Sequence, residues 1–407
     1  MAEGSGSLVV IGGGLAGAKA VEGARAAGYQ GRVVLVSEEA HAPYERPPLS
    51  KAVLRGEAEP ASTHVHDSGF YDQQHVELVT GRRVDALDLR TREVRLDTGD
   101  RLSYDAVVLA TGASPRVLTV PGAALGGVHY LRTIDDAVRL RVAIRSAGRV
   151  AVVGAGWIGT EVAASARQLG ADVVLVDPLD VPLQRVLGVQ VGAVFGRLHA
   201  DHGVVLRSGT GVTELRGSDS VEEVVLGDGS VEPADLVVVG IGVLPRVELA
   251  SAAGLAVQNG VVVNEYLETD APGVFAAGDI ANTWNPAQHK HIRVEHWANA
   301  LNQGMTAGRN AAGAREAYDR EPYFFSDQFD LGMEYVGHGH PDDQVVVRGD
   351  VAERKFIAFW HRDGRLTAAM NVNVWDVVDD LKALVSSRRQ IDPMRLADGA
   401  IPLAELV

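Results

Sequence analysis

The run Val9-Val10-Ile11-Gly12-Gly13-Gly14-Leu15-Ala16-Gly17 decides the fold. An apolar strand enters Gly-x-Gly-x-x-Gly and passes into a stretch of helical composition, Leu15 to Ala27, with Gly28 as its stop. In such a loop the first glycine permits a tight turn. The second lets the backbone approach a pyrophosphate, and the third lets helix and strand pack closely. The pyrophosphate then rests on the positive helix N-terminus. Val33 to Val36 predicts the next strand, and Glu38 follows where an acid would hold a ribose hydroxyl. Gly12, Gly14, Leu15, Gly17 and Glu38 are therefore candidate dinucleotide contacts.

The plan recurs. Arg149 to Val153 predicts a strand, and Gly154-Ala155-Gly156-Trp157-Ile158-Gly159 a second fingerprint. Ile158 to Leu169 predicts a helix stopped by Gly170, and Val173 to Val176 a strand ending at Asp177. Asp105 to Leu109 is a buried strand that ends in Ala110-Thr111-Gly112; Leu236 to Gly240 mirrors it and ends in Gly240-Ile241-Gly242. One mononucleotide-type fold is thus inserted within another. Two such loops imply two dinucleotides, most simply a flavin and a nicotinamide. A carboxylate at Asp177 accepts hydrogen bonds from a free 2′-hydroxyl and repels a 2′-phosphate, and no arginine cluster follows it. NADH is expected in preference to NADPH.

Beyond the repeat, Gly273-Val274-Phe275-Ala276-Ala277-Gly278-Asp279 predicts a strand ending in Gly-Asp. From Ser326 onward, strand-like runs such as Arg354 to Trp360 precede a helical segment near Val374 to Val385, an α+β pattern. The expected architecture is α/β, with two Rossmann-like nucleotide domains and a C-terminal α+β domain. The expected boundaries are 1–114 with 244–325, 115–243, and 326–407.

The chain has 407 residues and no cysteine. That excludes disulfide relays, cysteine sulfenates, and cysteine-ligated zinc or iron–sulfur sites in this chain. Any cluster must sit on a partner. Net charge is −15, which argues against wholesale nucleic-acid binding. The start Met1-Ala2-Glu3-Gly4-Ser5-Gly6-Ser7 has no basic leader, and the apolar run Leu236 to Pro245 is too short to span a bilayer. A soluble cytoplasmic protein is expected, without a membrane partner. His289, His291 and His296, and the pair His338 and His340, lack a recognised metal spacing.

The chain resembles the FAD-dependent NADH:ferredoxin reductases of bacterial oxygenase and cytochrome P450 systems over nearly its whole length. The residues that carry the resemblance are Pro43-Tyr44-Glu45-Arg46-Pro47-Pro48-Leu49-Ser50-Lys51, Leu131-Arg132-Thr133, Gly240 to Pro245, Gly278-Asp279, Glu295-His296-Trp297-Ala298-Asn299-Ala300, and Ser326-Asp327-Gln328. The resemblance implies two glutathione-reductase-type nucleotide domains and a small iron–sulfur ferredoxin as partner. It implies that Gly12, Gly14, Ala16 and Glu38 hold the adenosine half of FAD, with Val84 at the adenine end. Arg132 would contact the pyrophosphate region, Asp279 the ribityl chain, and Lys51 and Trp297 the ring. Arg46, Ala110, Thr111, Gly112, Gly242, Gly278, Glu295 and His296 would complete the cofactor surroundings, and Ile158 and Asp177 would serve the nicotinamide nucleotide.

In this pattern Lys51 has a physical purpose, since a fixed ammonium stabilises the negative charge that hydride delivery leaves on a flavin ring. Glu161 would pair with it across two domains; alternatively it is an acid favouring a helix N-terminus. Trp157 would shield the flavin face until nicotinamide displaces it, or else is a packed aromatic. The chain departs from the family at Tyr323-Phe324-Phe325, where some members carry two tryptophans thought to face the ferredoxin. Arg315, Arg320, Arg388 and Arg389 are candidates for a basic docking patch, or a solvated face. Two rival readings use the same scaffold. One is a quinone or monodehydroascorbate reductase, and the other a redox sensor resembling apoptosis-inducing factor. The oligomeric expectation is a monomer or weak homodimer.

Replacing Asp177 with Ala is expected to narrow the preference for NADH over NADPH. An unchanged ratio of the two kcat/KM values would sink the assignment.

Overall fold

The computed structural model describes residues 6–286 and 288–406. Of the stretch Met1 to Ser7 in the leader reading above, residues 1–5 lie outside them. The chain forms two compact units. One holds residues 6–45, Pro60–Ser114 and Val243–Arg320; the other holds Arg46–Glu59, Pro115–Gly242 and residues 321–406.

In the first unit, β1 (Ser7–Ile11) leads into α1 (Leu15–Ala26) and then β2 (Arg32–Val36). β3 (Val76–Val79) follows, then an antiparallel three-stranded sheet spanning 84–103, then β4 (Ala106–Leu109). In the second unit come β5 (Val128–Tyr130), α2 (Ile134–Ser146), β6 (Arg149–Val153), α3 (Trp157–Gln168) and β7 (Asp172–Asp177). They continue into α4 (Gln184–Asp201, broken at Gly188), β8 (Val205–Ser208) and β9 (Leu236–Val239). The chain re-enters the first unit with β10 (Val274–Ala276) and α5 (Trp297–Ala311).

The two parallel sheets have the same plan: β10-β4-β1-β2-β3 in one, β5-β9-β6-β7-β8 in the other. Even the strand-end bonds repeat. Gly12 N–H donates to Val36 O and Gly154 N–H to Val176 O, both at 2.8 Å. The strands are apolar on both faces (Leu8, Val9 and Val10; Val150, Ala151 and Val152) because both faces are covered: in the second unit Val150 and Val152 pack with Ile144 of α2 and Val162 of α3, and Ala151 and Val153 pack with Leu215, Val224 and Leu226 of an antiparallel three-stranded sheet spanning 212–233. Gly28 and Gly170 take left-handed φ of +82° and +95° and close α1 and α3 as expected. The expected fold class is the observed one.

The C-terminal part is an antiparallel sheet, β11 (Tyr323–Gln328), β12 (Leu331–Gly337), β13 (Gln344–Asp350), β14 (Lys355–Arg362) and β15 (Arg365–Val372), in the order β11-β12-β15-β14-β13. Helix α6 (Val378–Ser387) packs on it through Leu381, Leu384 and Val385. The helix begins later than the sequence pattern suggests. Asn373 and Asp376 have φ of +49° and +62°, a left-handed backbone that cannot continue a helix. The segment Arg46–Glu59 also differs from expectation, lying in the second unit rather than with its sequence neighbours. Leu54 is buried there among Leu140, Ile144 and Val162. Among the described residues, no helix is long and apolar enough to cross a membrane.

In the first unit α1 and α5 meet along a seam of glycine and alanine. A β-carbon on Gly304 would stand 2.4 Å from Ala16 O, one on Gly308 1.9 Å from Ala20 O, and one on Gly23 2.3 Å from Met305 O. Ala16 faces Gly304, Ala20 faces Gly308 and Gly23 faces Met305, so the two backbones nearly touch where the helices meet. Gly308→Ala is expected to lower the stability of the first unit by about 1–3 kcal/mol, since overpacking forces backbone shifts. An unaltered urea midpoint would show that the seam can relax.

Candidate active site

Each Gly-x-Gly-x-x-Gly loop has the same three-part geometry. Gly12 has φ +122°, and a β-carbon there would stand 2.1 Å from Ala110 O; Gly154 has φ +100°, with 2.5 Å to Gly240 O. Gly17 and Gly159 leave no room either, since a β-carbon would reach 1.9 Å from Gly12 O and 1.8 Å from Gly154 O. Gly14 and Gly156 differ: their backbone is extended, and a β-carbon would meet nothing within 4 Å. Steric conflict within the protein thus explains the first and third glycines but not the second. The space is open where a pyrophosphate would approach. The helix ends agree. Gly14 and Gly156 cap α1 and α3 without a side-chain hydrogen bond, and neither first turn carries an acid. By contrast, α2 closes its own N-terminus with a capping box, Thr133 and Asp136. Leading N–H groups that no side chain caps, at a helix with no first-turn carboxylate, suit an anion.

In the first unit, Glu38 forms an ion pair with Arg246 at 2.7 Å. Arg246 is tied to the strand end of β4 on both backbone sides. Its N–H donates to Gly112 O at 2.9 Å, and its carbonyl accepts from Thr111 Oγ1 at 2.8 Å. The sequence reading missed Arg246. Leu15 and Ala16 open α1, buried, and Val84 starts the antiparallel sheet. Gly278 (φ +80°) would place a β-carbon 2.9 Å from Ala16 Cβ, so the Gly278-Asp279 turn lies directly on α1. Gly278 N–H donates to the buried Gln303 Oε1 at 3.0 Å. Arg293 donates to Asp279 O at 3.1 Å and pairs with Glu295 at 2.6 Å. His296 and Trp297 stand at the start of α5. Gln303 and Arg293 were also missed, because neither belongs to a motif.

In the second unit, Asp177 ends β7, and its two oxygens accept the N–H groups of Ala155 (2.7 Å) and Leu179 (2.9 Å). It therefore also holds the second glycine loop, so the coenzyme ratio, not affinity alone, is the proper measure of Asp177→Ala. Ile158 leaves 45% of its surface exposed at the start of α3. Gly242 (φ +98°) accepts from Arg116 N–H at 2.9 Å. Arg46 donates to the carbonyl of Arg132, bringing those two candidates together. Trp157 packs edge-on against Phe195 and Phe324, with ring centroids 5.8 and 4.9 Å away. Its buried Nε1 has no hydrogen-bond partner among the described residues. Of the arginines considered for docking, Arg388 pairs with Glu321, and Arg315 lies over the Tyr266 ring at 4.7 Å.

Lys51 and Glu161 meet within this unit, Nζ to Oε1 at 2.8 Å, with side-chain exposures of 13% and 5%. Glu161 also accepts from Ser50 Oγ through Oε2 and from Ser326 Oγ (2.7 Å) through Oε1. Ser165 Oγ donates to Ser50 O at 2.6 Å and fixes the Lys51 segment onto α3. A buried carboxylate needs such donors to offset lost hydration. Ser50 and Ser326 stand inside quoted motifs, but nothing in sequence spacing joins them to Glu161.

A protein that presents two such loops on two parallel sheets is built to bring two dinucleotides into one redox reaction. The chain belongs to the pyridine nucleotide-disulphide oxidoreductase family, whose model matches residues 6–304; a reductase C-terminal model matches 323–407. It is 40% identical over 399 residues to the anthranilate 1,2-dioxygenase system ferredoxin–NAD(+) reductase component of Burkholderia cepacia (97% of this chain, 98% of the relative). It is 37% identical to putidaredoxin reductase of Pseudomonas putida (98% and 96% covered). The crystal structure of the covalent putidaredoxin reductase–putidaredoxin complex superposes with a TM-score of 0.95 at 36% identity, covering 99% of this chain and 98% of that one.

The glycine geometry separates folding from binding. Gly156→Ala is expected to keep the native urea midpoint and weaken NADH binding at least about tenfold, since backbone approach is lost. Gly159→Ala is expected to unfold the unit. Loss of stability in Gly156→Ala would remove the argument for an open nucleotide cradle.

Proposed function

We propose that this protein oxidises NADH and passes the electrons to a small iron–sulfur ferredoxin that serves a cytochrome P450 or Rieske-type oxygenase. The buried Lys51–Glu161 pair, beside the second nucleotide loop on α3, carries this reading. FAD, when bound, accepts a hydride and releases electrons one at a time, which converts a two-electron donor into a one-electron supply. With no cysteine in the chain, no thiol takes part.

The residues supply position and electrostatics. The open backbone at Gly14 and Gly156 receives the two pyrophosphates on the N-termini of α1 and α3. Glu38 and Asp177 hold ribose hydroxyls, and Asp177 disfavours a 2′-phosphate. Arg46 and Arg132, Asp279, Glu295, His296 and Trp297 surround FAD. Ile158, exposed and apolar, lies against the nicotinamide nucleotide. Lys51 presents a positive charge where negative charge develops, and Glu161 holds that ammonium in place. Trp157 contributes through packing with Phe195 and Phe324. The proposed domain division is 1–114 with 244–325 for FAD, 115–243 for NAD, and 326–407 as a C-terminal α+β domain.

NADH-driven reduction of a small ferredoxin, followed optically beside an oxygen-only control and NADPH, tests the proposal. Fast ferredoxin reduction with slow oxygen consumption is expected. Rapid flavin reduction without transfer to any of several ferredoxins would overturn it. Lys51→Ala is expected to slow flavin reduction more than it weakens FAD binding, and an unchanged reduction rate would refute the role given to Lys51.

A further inference from the structure

The donors on Glu161 continue inward. Ser326 Oγ, which donates to Glu161, accepts from Gln328 Nε2 at 3.2 Å. Gln328 Oε1 lies 2.9 Å from His199 Nε2. Ser326 and Gln328 are two apart on β11 and so share its buried face; His199 comes from α4 and is fully buried. Four side chains from three elements of one unit thus form a line, Glu161–Ser326–Gln328–His199.

The carboxylate fixes the direction of every bond in that line. An ionised carboxylate only accepts, so the Ser326 hydroxyl proton points at Glu161. The Ser326 oxygen is then free to accept, so the Gln328 amide turns its NH₂ toward it. The Gln328 carbonyl therefore faces His199, whose Nε2 must carry the proton. His199 Nδ1 is buried with no hydrogen-bond partner among the described residues. Burial pushes the His199 pKa down to about 4, so the ring stays neutral near pH 7. Among the described residues the line has no onward partner beyond His199 Nδ1. The line is suited to holding Glu161, not to conducting.

We propose that His199 and Gln328 are positioning residues that act through Ser326 to lock the Glu161 carboxylate, and with it the Lys51 ammonium, in one orientation. Oε1 is shared by Lys51 and Ser326, while Oε2 takes Ser50. Without Gln328, nothing on this line directs the Ser326 hydroxyl, and Glu161 keeps firm donors on the Lys51 segment alone. The proposal rests on the role of Lys51 given above.

Two measurements on the holoenzyme decide it. The first is the imidazole ¹⁵N shift of His199, identified by its loss in His199→Gln. The wild type is expected to show the neutral Nε2–H tautomer. Glu161→Gln does not touch His199, yet it replaces an acceptor-only group with one that also donates, and a mixture of tautomers is expected. Ser326→Ala, which cuts the line, is expected to do the same, and serves if Glu161→Gln does not fold. An unmoved tautomer in the folded variants would overturn the proposal. The second is anaerobic stopped-flow reduction by NADH. Gln328→Met is expected to lower the limiting rate about tenfold with little change in NADH affinity, and to have no further effect in a Lys51→Met background. Equal losses in both backgrounds would mark Gln328 as merely structural and overturn the proposal. Failure of the wild type to be reduced by NADH would overturn the functional reading instead, and the His199 tautomer would still decide whether the line is oriented from Glu161.

Discussion

In both nucleotide loops a β-carbon on the third glycine would lie within 2 Å of the carbonyl oxygen of the first. No side chain fits that contact. It presses helix against strand end, brings the leading N–H groups of α1 and α3 to the edge of the sheet, and leaves the second glycine facing open space. The rest of the architecture depends on this contact. Strands β4 and β9 deliver Ala110 and Gly240 against the first glycines, and Gly278 lies against Ala16 at the start of α1. The same economy of atoms continues in the seam between α1 and α5.

Glu161 presents a different kind of constraint. It is a carboxylate held almost wholly out of water, and three donors from two separated stretches of sequence meet it. Removing any one leaves the charge less well solvated, so the cluster ties the Lys51 segment and β11 to α3 by electrostatics as well as by packing. Such an arrangement is demanding to build and gives one defined geometry in return.

Much of this was legible in the sequence. Periodicity and the two glycine signatures placed β1, α1, β2, β6, α3 and β7 to within a residue or two, because loop sterics and strand burial are local. The pairing of Lys51 with Glu161 followed from resemblance. What was not legible depends on partners far apart in sequence. Glu38 was placed, but not its ion pair with Arg246; Ser326 and Gln328 were seen as a motif, but not as a line ending on His199. Trp157 was placed within the second fingerprint, but not its packing against Phe195 and Phe324. The start of α6 was misjudged because apolar spacing from Val374 resembles a helix, while the left-handed residues Asn373 and Asp376 carry no spacing signal.

The order of segments has a consequence for how such a chain is made. Along the sequence the two units alternate: 6–45 in the first, 46–59 in the second, 60–114, then 115–242, then 243–320, and finally 321–406. A nascent chain therefore cannot finish one unit before beginning the other. Lys51 emerges early and waits more than a hundred residues for Glu161 and still longer for Ser326. Helix α1 exposes its glycine face until α5 has been synthesised. Contacts so distant are slow to form and leave unsatisfied surfaces open meanwhile. A single cut anywhere between residues 46 and 320 would give two fragments, neither of which contains a whole unit.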